Sequence, residues 1–377
     1  MKKLTSFQRP NWTFFTILFS CIFGIAIYAA CNEKPRFEFA TPTTPLSFPK
    51  DLASHPEYQT EWWYVTGHLT SEAGKSYGYE LTFFRVGLKG ESEGIEAKQI
   101  YLGHFALSDI STRKFYFTEK QSRGKFGDAG ASAEYFKTYL GNWSIQELGN
   151  YMLLQAETDT FSLALVLEPL KKPVLHGKNG YSQKGPESSN ASMYFSYTRL
   201  KTTGAVTVLG KRETVRGESW HDHEFGTSQL SQGVLGWDWF SLQFENGTEL
   251  MLYQLREESG MSPFSSGTFI QEDGTTISLT AGDFGIKPTL FYESSKSGAR
   301  YPKAWTVSIP KLLMELEIQT NIEDQELLTN ASTRVTYWEG SVSANLKTNG
   351  VNPNSREIRA KGYVELTGYA KPFEQNF

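Results

Sequence analysis

The feature that most constrains the fold is a recurring pattern of short segments rich in aromatic and β-branched residues, which extends through a chain of 377 residues. No segment keeps apolar residues at a period of 3.6 for a dozen residues, which argues against a helix-dominated fold. The segments are bounded by Gly, Ser and Asp clusters, a pattern typical of strands. They comprise residues 77–86, 115–117, 151–156, 161–168, 193–200, 240–244, 250–255, 306–309 and 312–320.

Two dipeptides predict tight connections between such strands. Asn246-Gly247 and Asp273-Gly274 each separate two alternating apolar runs, and this is the strongest short-range signal for a β-hairpin. A series of meandering strands suits a barrel or a sandwich. The sequence therefore predicts an all-β protein.

The chain is long enough for two domains. More than 300 residues follow the leader and the Pro-rich tether. A domain usually has roughly 100 to 200 residues, so this length allows two domains. Residues 176–190 are rich in Gly, Ser and Asn and predict a long loop. We place the domain division between Gly226 and Ser262. The predicted organisation is a lipoprotein signal peptide over 1–30, a tether over 31–50, an N-terminal domain over 51–240 and a C-terminal domain over 241–377.

The beginning of the chain predicts export. Three basic residues and no acid occur in the first nine positions, and the apolar stretch 12–30 ends in Ala29-Ala30-Cys31. This is the pattern of a secretory signal peptide, with Cys31 as the lipidation site. Two alternatives are cleavage at Cys21 and an uncleaved membrane anchor, since the stretch approaches the roughly 20 residues that span a bilayer. Each places the body outside the cytoplasm, and a lipid anchor at Cys31 places it on the periplasmic side, at the outer membrane of a Gram-negative cell.

Cysteine use and charge exclude several classes of protein. Cys21 and Cys31 are the only cysteines, so the mature body has no thiol for an internal disulfide, a zinc cluster or a nucleophile. The net charge is −4 and no basic arm occurs, which argues against nucleic acid as a partner. Gly-x-Ser-x-Gly does not occur in a strand-to-helix context, and neither Gly-x-Gly-x-x-Gly nor a Walker sequence appears.

Four segments combine Trp or His with acids, an arrangement that is costly unless the polar groups are satisfied or face a cavity. The segments are 61–64 (EWWY), 104–109 (HFALSD), 217–226 (GESWHDHEFG) and 236–240 (GWDWF). Alternate residues of a strand share a face. If the third segment is extended, Glu218, Trp220, Asp222 and Glu224 lie on one face, and His221, His223 and Phe225 lie on the other.

Three interpretations of the His-Asp-His-Glu run stay open. In the first, His221 and His223 bind a metal with His104 or Glu61. In the second, Asp222 or Asp238 has a pKa raised by apolar walls and exchanges a proton with an unsaturated substrate.

The third interpretation is a buried hydrogen-bond network that locks two strands together. The aromatic residues have two interpretations as well, since each could fill a core. Beside carboxylates, the set predicts the wall of a pocket for an apolar ligand. The predicted ligand-binding residues are Glu61, Trp62, Trp63, Tyr64, His104, Trp220, Phe225, Trp237 and Trp239.

These motifs resemble the hydroxyneurosporene synthase (carotenoid 1,2-hydratase) and AttH-like superfamily, whose bacterial members include predicted secreted hydrolases. The resemblance covers about residues 45–375, and the distinctive motifs lie between 60 and 256. It implies two lipocalin-like antiparallel β-barrels packed side by side. It also implies Asp222, His223 and Asp238 as catalytic residues, with Phe225 where a tryptophan is expected in the hydratases.

Two main hypotheses of function follow, and a third, a purely structural envelope protein, would leave the Trp-plus-acid clusters without a cavity to line. In one, the protein is a binding module that carries a hydrophobic, isoprenoid or lipid-like small molecule. In the other, it is a hydratase-like hydro-lyase or a hydrolase, in which Asp222 or Asp238 donates a proton and His223 orients that acid or acts as the base. Neither hypothesis calls for a cofactor or a metal.

Overall fold

The structure is a computed structural model that describes residues 37–88, 99–227, 230–348 and 358–373. The predicted leader, Cys21, Cys31 and the start of the tether lie outside these residues and stay predictions. All the described residues except Phe37 belong to one compact unit, Glu38–Phe377. Helical structure in the described ranges is limited to 3-10 turns at Lys50–Leu52, Lys125–Gly127 and Pro310–Leu312. None of the helices there is long and apolar enough to span a membrane.

The first half of the chain forms one antiparallel sheet of thirteen strands. They are β1 (Thr60–Ser71), β2 (Ser76–Gly87), β3 (Gln99–Asp109), β4 (Lys114–Ser122), β5 (Ala129–Ala131), β6 (Lys137–Leu140), β7 (Trp143–Leu148), β8 (Tyr151–Glu157), β9 (Phe161–Pro169), β10 (Val174–Leu175), β11 (Tyr181–Gln183), β12 (Ala191–Val208) and β13 (Lys211–Gly226). The order is β4-β3-β2-β1-β13-β12-β9-β8-β7-β6-β5, with β10 and β11 beside β12. Because β6 approaches β2, β3 and β4, this sheet is a nearly closed barrel.

The second half forms an eleven-stranded antiparallel sheet that curves into a half-barrel. Its strands are β14 (Gly236–Phe244), β15 (Glu249–Glu257), β16 (Gly260–Met261), β17 (Ser266–Ile270), β18 (Thr276–Thr280), β19 (Gly285–Glu293), β20 (Arg300–Ile309), β21 (Met314–Thr320), β22 (Glu326–Leu328), β23 (Thr336–Thr348) and β24 (Ile358–Thr367). The order is β18-β17-β15-β14-β24-β23-β21-β20-β19, with β16 beside β15 and β22 beside β23. The predicted all-β class with two lipocalin-like barrels is confirmed.

The two predicted hairpins are confirmed. Asn246-Gly247 connects β14 to β15 and Asp273-Gly274 connects β17 to β18, both antiparallel pairs. Gly247 has φ +79°, a left-handed conformation that glycine adopts at no steric cost. The last strand of the first sheet ends at Gly226, and the first strand of the second sheet begins at Gly236. The predicted domain limit at 240/241 stays a prediction.

Three apolar clusters hold the fold together. One fills the first barrel, one fills the concave side of the half-barrel, and the third lies between the two sheets. Outer strands such as β8 alternate buried and exposed residues, as expected for a sheet with one face exposed to solvent. By contrast, β1 and the end of β13 are buried on both faces, because the second sheet covers the side that faces away from the first barrel. Two of the four motif segments lie on these doubly buried strands.

Candidate functional site

The two central strands of the first sheet separate the predicted residues onto opposite faces. In the antiparallel register of β1 and β13, Trp63 pairs with His223 and Tyr64 pairs with Asp222. Directly paired residues share a face, so His223 lies on the barrel side and Asp222 on the side of the second sheet. The predicted division of segment 217–226 into two faces is confirmed.

The barrel face carries a charge network around Glu61, which is completely buried. Its carboxylate accepts hydrogen bonds from Arg85 Nε at 2.9 Å and His223 Nε2 at 2.8 Å. Ser54 Oγ donates to it at 2.7 Å, and His55 Nδ1 lies 3.0 Å away. Burial alone would raise the pKa of Glu61, but the two histidines and Arg85 hold it well below its usual value.

The histidines of this network differ in charge. Burial opposes protonation of His55, yet hydrogen bonds to Asp51 and Glu61 raise its pKa to about 9. Burial lowers the pKa of His223 despite its bond to Glu61, so His223 is neutral. Phe225 stacks on the His55 ring with centroids 3.6 Å apart. Glu61 is thus neutralised by Arg85 and a protonated His55.

The metal interpretation depends on ligand atoms that converge. Within the described part of the chain, the convergent set is His55, Glu61 and His223, whose ligand atoms lie within 4.8 Å of one another. His104 and His221 are not part of it. The guanidinium of Arg85 on the same carboxylate places a fixed positive charge where a cation would bind, and the atoms already hydrogen-bond to each other. These residues fit an ion-pair network better than a metal centre.

Asp222, on the opposite face, is buried and held by three donors. Tyr194 Oη donates to Oδ2 at 2.8 Å, while Ser196 Oγ and Trp220 Nε1 donate to Oδ1. Burial raises the pKa of Asp222 to about 7, although the three hydrogen bonds lower it. A carboxyl with this pKa can both give and take a proton near neutral pH.

Next to Asp222 on the same face lies a buried ion pair. Lys184 Nζ donates to Glu224 Oε1 and, at 2.6 Å, to Ser192 Oγ. The ammonium also lies 5.6 Å from the ring centroids of Tyr194 and Tyr253. Because Glu224 neutralises it, Lys184 adds little net positive charge to this region.

The second sheet presents one row of side chains to this face. In register across four adjacent strands, Tyr253 pairs with Trp239, Trp239 with Glu365, and Glu365 with Glu339. Trp239 Nε1 donates to Tyr194 Oη at 3.1 Å, which links this row to Asp222 in the first sheet. Burial raises the pKa of Glu365 to about 7.

Between the two faces lies a cavity of about 230 Å³. Seven of the predicted site residues line it: Glu61, Trp62, Tyr64, His104, Asp222, Trp237 and Trp239. Glu61 lies at the edge of the cavity, because its carboxylate belongs to the charge network of the first barrel. Five others do not line it: Trp63, Trp220, His223, Phe225 and Asp238. Trp63, His223 and Phe225 face the first barrel, and Trp220 supports Asp222.

Asp238 lies on the far side of β14. Strand alternation places Trp237 and Trp239 toward the cavity and Asp238 away from it. Its Oδ1 accepts hydrogen bonds from Arg256 Nε at 3.0 Å and Tyr369 Oη at 3.1 Å. Burial raises its pKa to about 6 against the lowering effect of Arg256.

His104 lines the cavity from β3 and ties the two sheets together. Its Nδ1 lies 2.7 Å from Tyr337 Oη and its Nε2 lies 2.8 Å from Ser332 Oγ. Burial lowers its pKa to about 3, so it is a neutral hydrogen-bonding group.

Several residues of the site were not singled out from the sequence. Tyr194, Lys184, Glu224, Glu339 and Glu365 all line the cavity. The predicted position of Glu224 on the same strand face as Asp222 was a usable signal for Glu224. The others come from distant parts of the chain. Glu339 follows Trp338, a Trp-plus-acid pair that was a usable signal, but no local pattern marks Tyr194, Lys184 or Glu365.

Comparison with known proteins gives one family. The family model described as AttH-like matches residues 39–369. An AttH protein from Nitrosomonas europaea has a solved structure that is 30% identical, with a TM-score of 0.79, covering 88% of this chain and all of that one.

Two fungal proteins are more distant. The crystal structure of kievitone hydratase from Nectria haematococca is 15% identical, with a TM-score of 0.69, over 89% of this chain and 97% of that one; this likeness shows the fold. A dehydratase from Emericella nidulans is 21% identical over 232 residues. That match spans 58% of this chain and 64% of the dehydratase, less than two thirds of its length.

Proposed function

The chain belongs to the AttH-like family, and from this premise we propose that it binds an apolar small molecule between its two sheets and adds or removes water there. Asp222 is the proton-transfer group, and no cofactor takes part. The observation that carries the proposal is a buried carboxyl with a pKa of about 7 in the wall of an otherwise largely aromatic and aliphatic cavity.

The walls set the class of ligand. Trp62, Phe84, Trp237, Trp239 and Leu255 line the cavity, and such surfaces bind apolar molecules by excluding water. The cavity volume of about 230 Å³ suits a small molecule. An isoprenoid or lipid-like compound fits these walls. Aromatic faces also stabilise positive charge that develops on a bound alkene when it is protonated.

The reaction balances with Asp222 alone. In dehydration, the protonated carboxyl gives its proton to a ligand hydroxyl, the C–O bond breaks and water leaves. The carboxylate then takes a proton from the adjacent carbon as the double bond forms, which restores the acid. Hydration is the same sequence reversed. The names of the hydratase and the dehydratase to which this chain is similar support this type of reaction.

The side chains around Asp222 hold its carboxyl in a defined position. Tyr194 and Ser196 hold the Asp222 carboxyl from the neighbouring strand, and Trp239 fixes Tyr194 from the second sheet. The carboxyl is therefore held in one orientation by groups from both sheets. His223, which faces the first barrel, contributes through the strand backbone and not by contact with a ligand.

The first test is to purify the mature protein in native form from its own envelope and to identify any bound molecule by mass spectrometry. The protein is then incubated with that molecule in D₂O. Hydration inserts deuterium from the solvent at carbon, and successive dehydration and hydration exchange it there. Asp222→Asn should slow this exchange by about a hundredfold or more, the usual range for loss of a general acid.

Asp238→Asn is the matched control, because this carboxyl is buried and perturbed but lies outside the cavity lining. We expect exchange to persist in it. Exchange that survives in Asp222→Asn, or that is lost in Asp238→Asn instead, would contradict the assignment. A bound ligand with no exchange in the wild type would favour the binding-module hypothesis.

We also propose that the protein is an exported lipoprotein anchored through Cys31 at the periplasmic side of the envelope. The basic start, the apolar stretch 12–30 and the Ala29-Ala30-Cys31 sequence support this. Cys31→Ser should abolish incorporation of labelled fatty acid, and Cys21→Ser should not. The reverse result would move the lipidation site to Cys21.

A further inference from the structure

Two buried oxygen atoms in the cavity wall lack hydrogen-bond partners. Among the residues that the structure describes, neither Tyr64 Oη nor Glu339 Oε1 has a partner, although both residues line the cavity. Tyr64 is 6% exposed and Glu339 is 2% exposed. A buried polar group without a hydrogen-bond partner destabilises the fold, so each atom gains from a ligand that pairs with it.

The two groups adjoin each other although they come from different sheets. Tyr64 is on β1 and Glu339 is on β23, and the hydroxyls of Tyr64 and Tyr337 lie near the Glu339 carboxyl without reaching hydrogen-bond geometry at Tyr64 Oη or at Glu339 Oε1. Trp239 packs edge-on against the Tyr64 ring, with centroids 5.1 Å apart. The pair therefore lies in the same aromatic wall that leads through Tyr194 to Asp222.

The surroundings keep both groups uncharged. Burial and the neighbouring Glu80 and Glu365 raise the pKa of Glu339 well above its usual value. Burial also raises the pKa of Tyr64 well above its usual value. Both groups are then O–H donors. A carboxylate ligand would bring a charge into this buried region, which is costly without a counter-ion, whereas a neutral carbonyl oxygen would meet two donors.

We propose that Tyr64 and Glu339 form a donor subsite for an uncharged carbonyl oxygen, so that the ligand is an apolar ketone, aldehyde or ester and not a free acid. This inference rests on the proposed function, because it takes the cavity to be the ligand site. The hydroxyl or double bond of the ligand lies at Asp222, and its carbonyl is held by the subsite. An oxygen at a fixed second point orients an otherwise featureless apolar molecule.

Three probes with the same nonyl chain separate the contributions of the carbonyl oxygen, the molecular shape and the negative charge to binding. Methyl nonyl ketone carries the carbonyl, the alkene with methylene in place of that oxygen keeps the shape, and decanoate carries the charge. Binding to the full mature protein at neutral pH is followed by quenching of tryptophan fluorescence, since Trp62, Trp237 and Trp239 line the cavity. We expect the ketone to bind about tenfold more tightly than the alkene, as two hydrogen bonds of ordinary strength imply, and decanoate to bind more weakly than both.

Variants assign the preference to the two residues. Tyr64→Phe keeps the ring that packs on Trp239, and Glu339→Leu removes the carboxyl; each should reduce the preference for the ketone to about threefold or less. Glu339→Gln restores an uncharged donor and should keep the preference, which a purely structural role would not predict. Tyr363→Phe is the control, since this buried tyrosine lies in the same packing layer but does not line the cavity.

The outcomes separate the two proposals. Equal binding of ketone and alkene by the wild type, or tighter binding of decanoate, overturns the subsite and leaves the apolar cavity in place. An unchanged preference in both Tyr64→Phe and Glu339→Leu also overturns it. Absence of binding by all three probes counts against the cavity as an apolar ligand site, and with it against the proposed function.

Discussion

The substitution Glu61→Gln tests whether the network in the first barrel stabilises the fold. The side chain keeps its size and loses its charge. In the wild type, Glu61 neutralises Arg85, which is 1% exposed, and a protonated His55. Glutamine leaves the Arg85 guanidinium buried beside a neutral group and leaves His55 with Asp51 as its ion-pair partner. Removal of one partner of a buried pair costs about 3 to 5 kcal/mol, and we expect a loss of unfolding free energy of this size near pH 6.

The pH dependence follows from His55. Its pKa is raised in the folded state from 6.5 to about 9, so its contribution is complete below pH 6.5 and is lost as the pH rises through 9. The shift corresponds to about 3 kcal/mol for a largely buried group. Hydrogen bonds to Asp51 and Glu61 both raise this pKa, so Glu61→Gln removes part of the dependence. The difference in unfolding free energy between wild type and variant should therefore become smaller toward pH 9. The part that remains there is the contribution of the ion pair with Arg85.

The measurement is urea unfolding followed by tryptophan fluorescence at several pH values between 6 and 9. Glu168→Gln is the matched control, because Glu168 pairs with Lys201 at 3.3 Å in a half-exposed position. Such surface pairs contribute less than about 1 kcal/mol. A loss in Glu61→Gln no larger than in this control, or a difference that does not change with pH, would refute the account of the network.

Two further predictions concern the second sheet and its contact with the first. Asp238→Asn should lower the unfolding free energy by about 2 kcal/mol, measured by thermal melting, because Arg256 loses a charge-assisted hydrogen bond; an unchanged melting temperature would contradict this. Gly78→Ala should cost about 1 to 3 kcal/mol by overpacking, since a Cβ there would lie 2.6 Å from Tyr363 Oη and 2.9 Å from Ser341 Cβ. Gly282→Ala, with 4.0 Å to its nearest neighbour, should have little effect in the same urea assay, and equal losses in the two variants would argue against close contact between the sheets.

The sequence predicted the local structure well because its signals are local. The Asn246-Gly247 and Asp273-Gly274 turns and the strand texture depend on neighbouring residues, and the structure confirms them. The separation of Asp222 from His223 onto two faces also follows from alternation within one strand. The same rule, applied to Trp237-Asp238-Trp239, would have indicated that Asp238 points away from the tryptophans.

The composition of the cavity could not be predicted in this way. Glu339 and Glu365 reach it only because β23 and β24 are paired beside β14 and face the first sheet. Their neighbours along the chain show the same strand texture as many other segments. A Trp-plus-acid motif marks Asp222, and Trp338-Glu339 combines the same residue types. Nothing local places Glu339 or Lys184 in the cavity, since their environment arises from the packing of the two sheets.

The pairing of β1 with β13 explains why structural and functional interpretations of one motif are compatible. Glu61, Trp63 and His223 lie on the barrel face, and Tyr64 and Asp222 lie one position away on the cavity face. The buried network fixes the backbone of both strands, and that backbone positions the cavity side chains. Substitutions on the barrel face should therefore change stability first, and those on the cavity face should change ligand binding first. Alternation along two strands thus lets a costly set of buried charges serve as the rigid support of an apolar site.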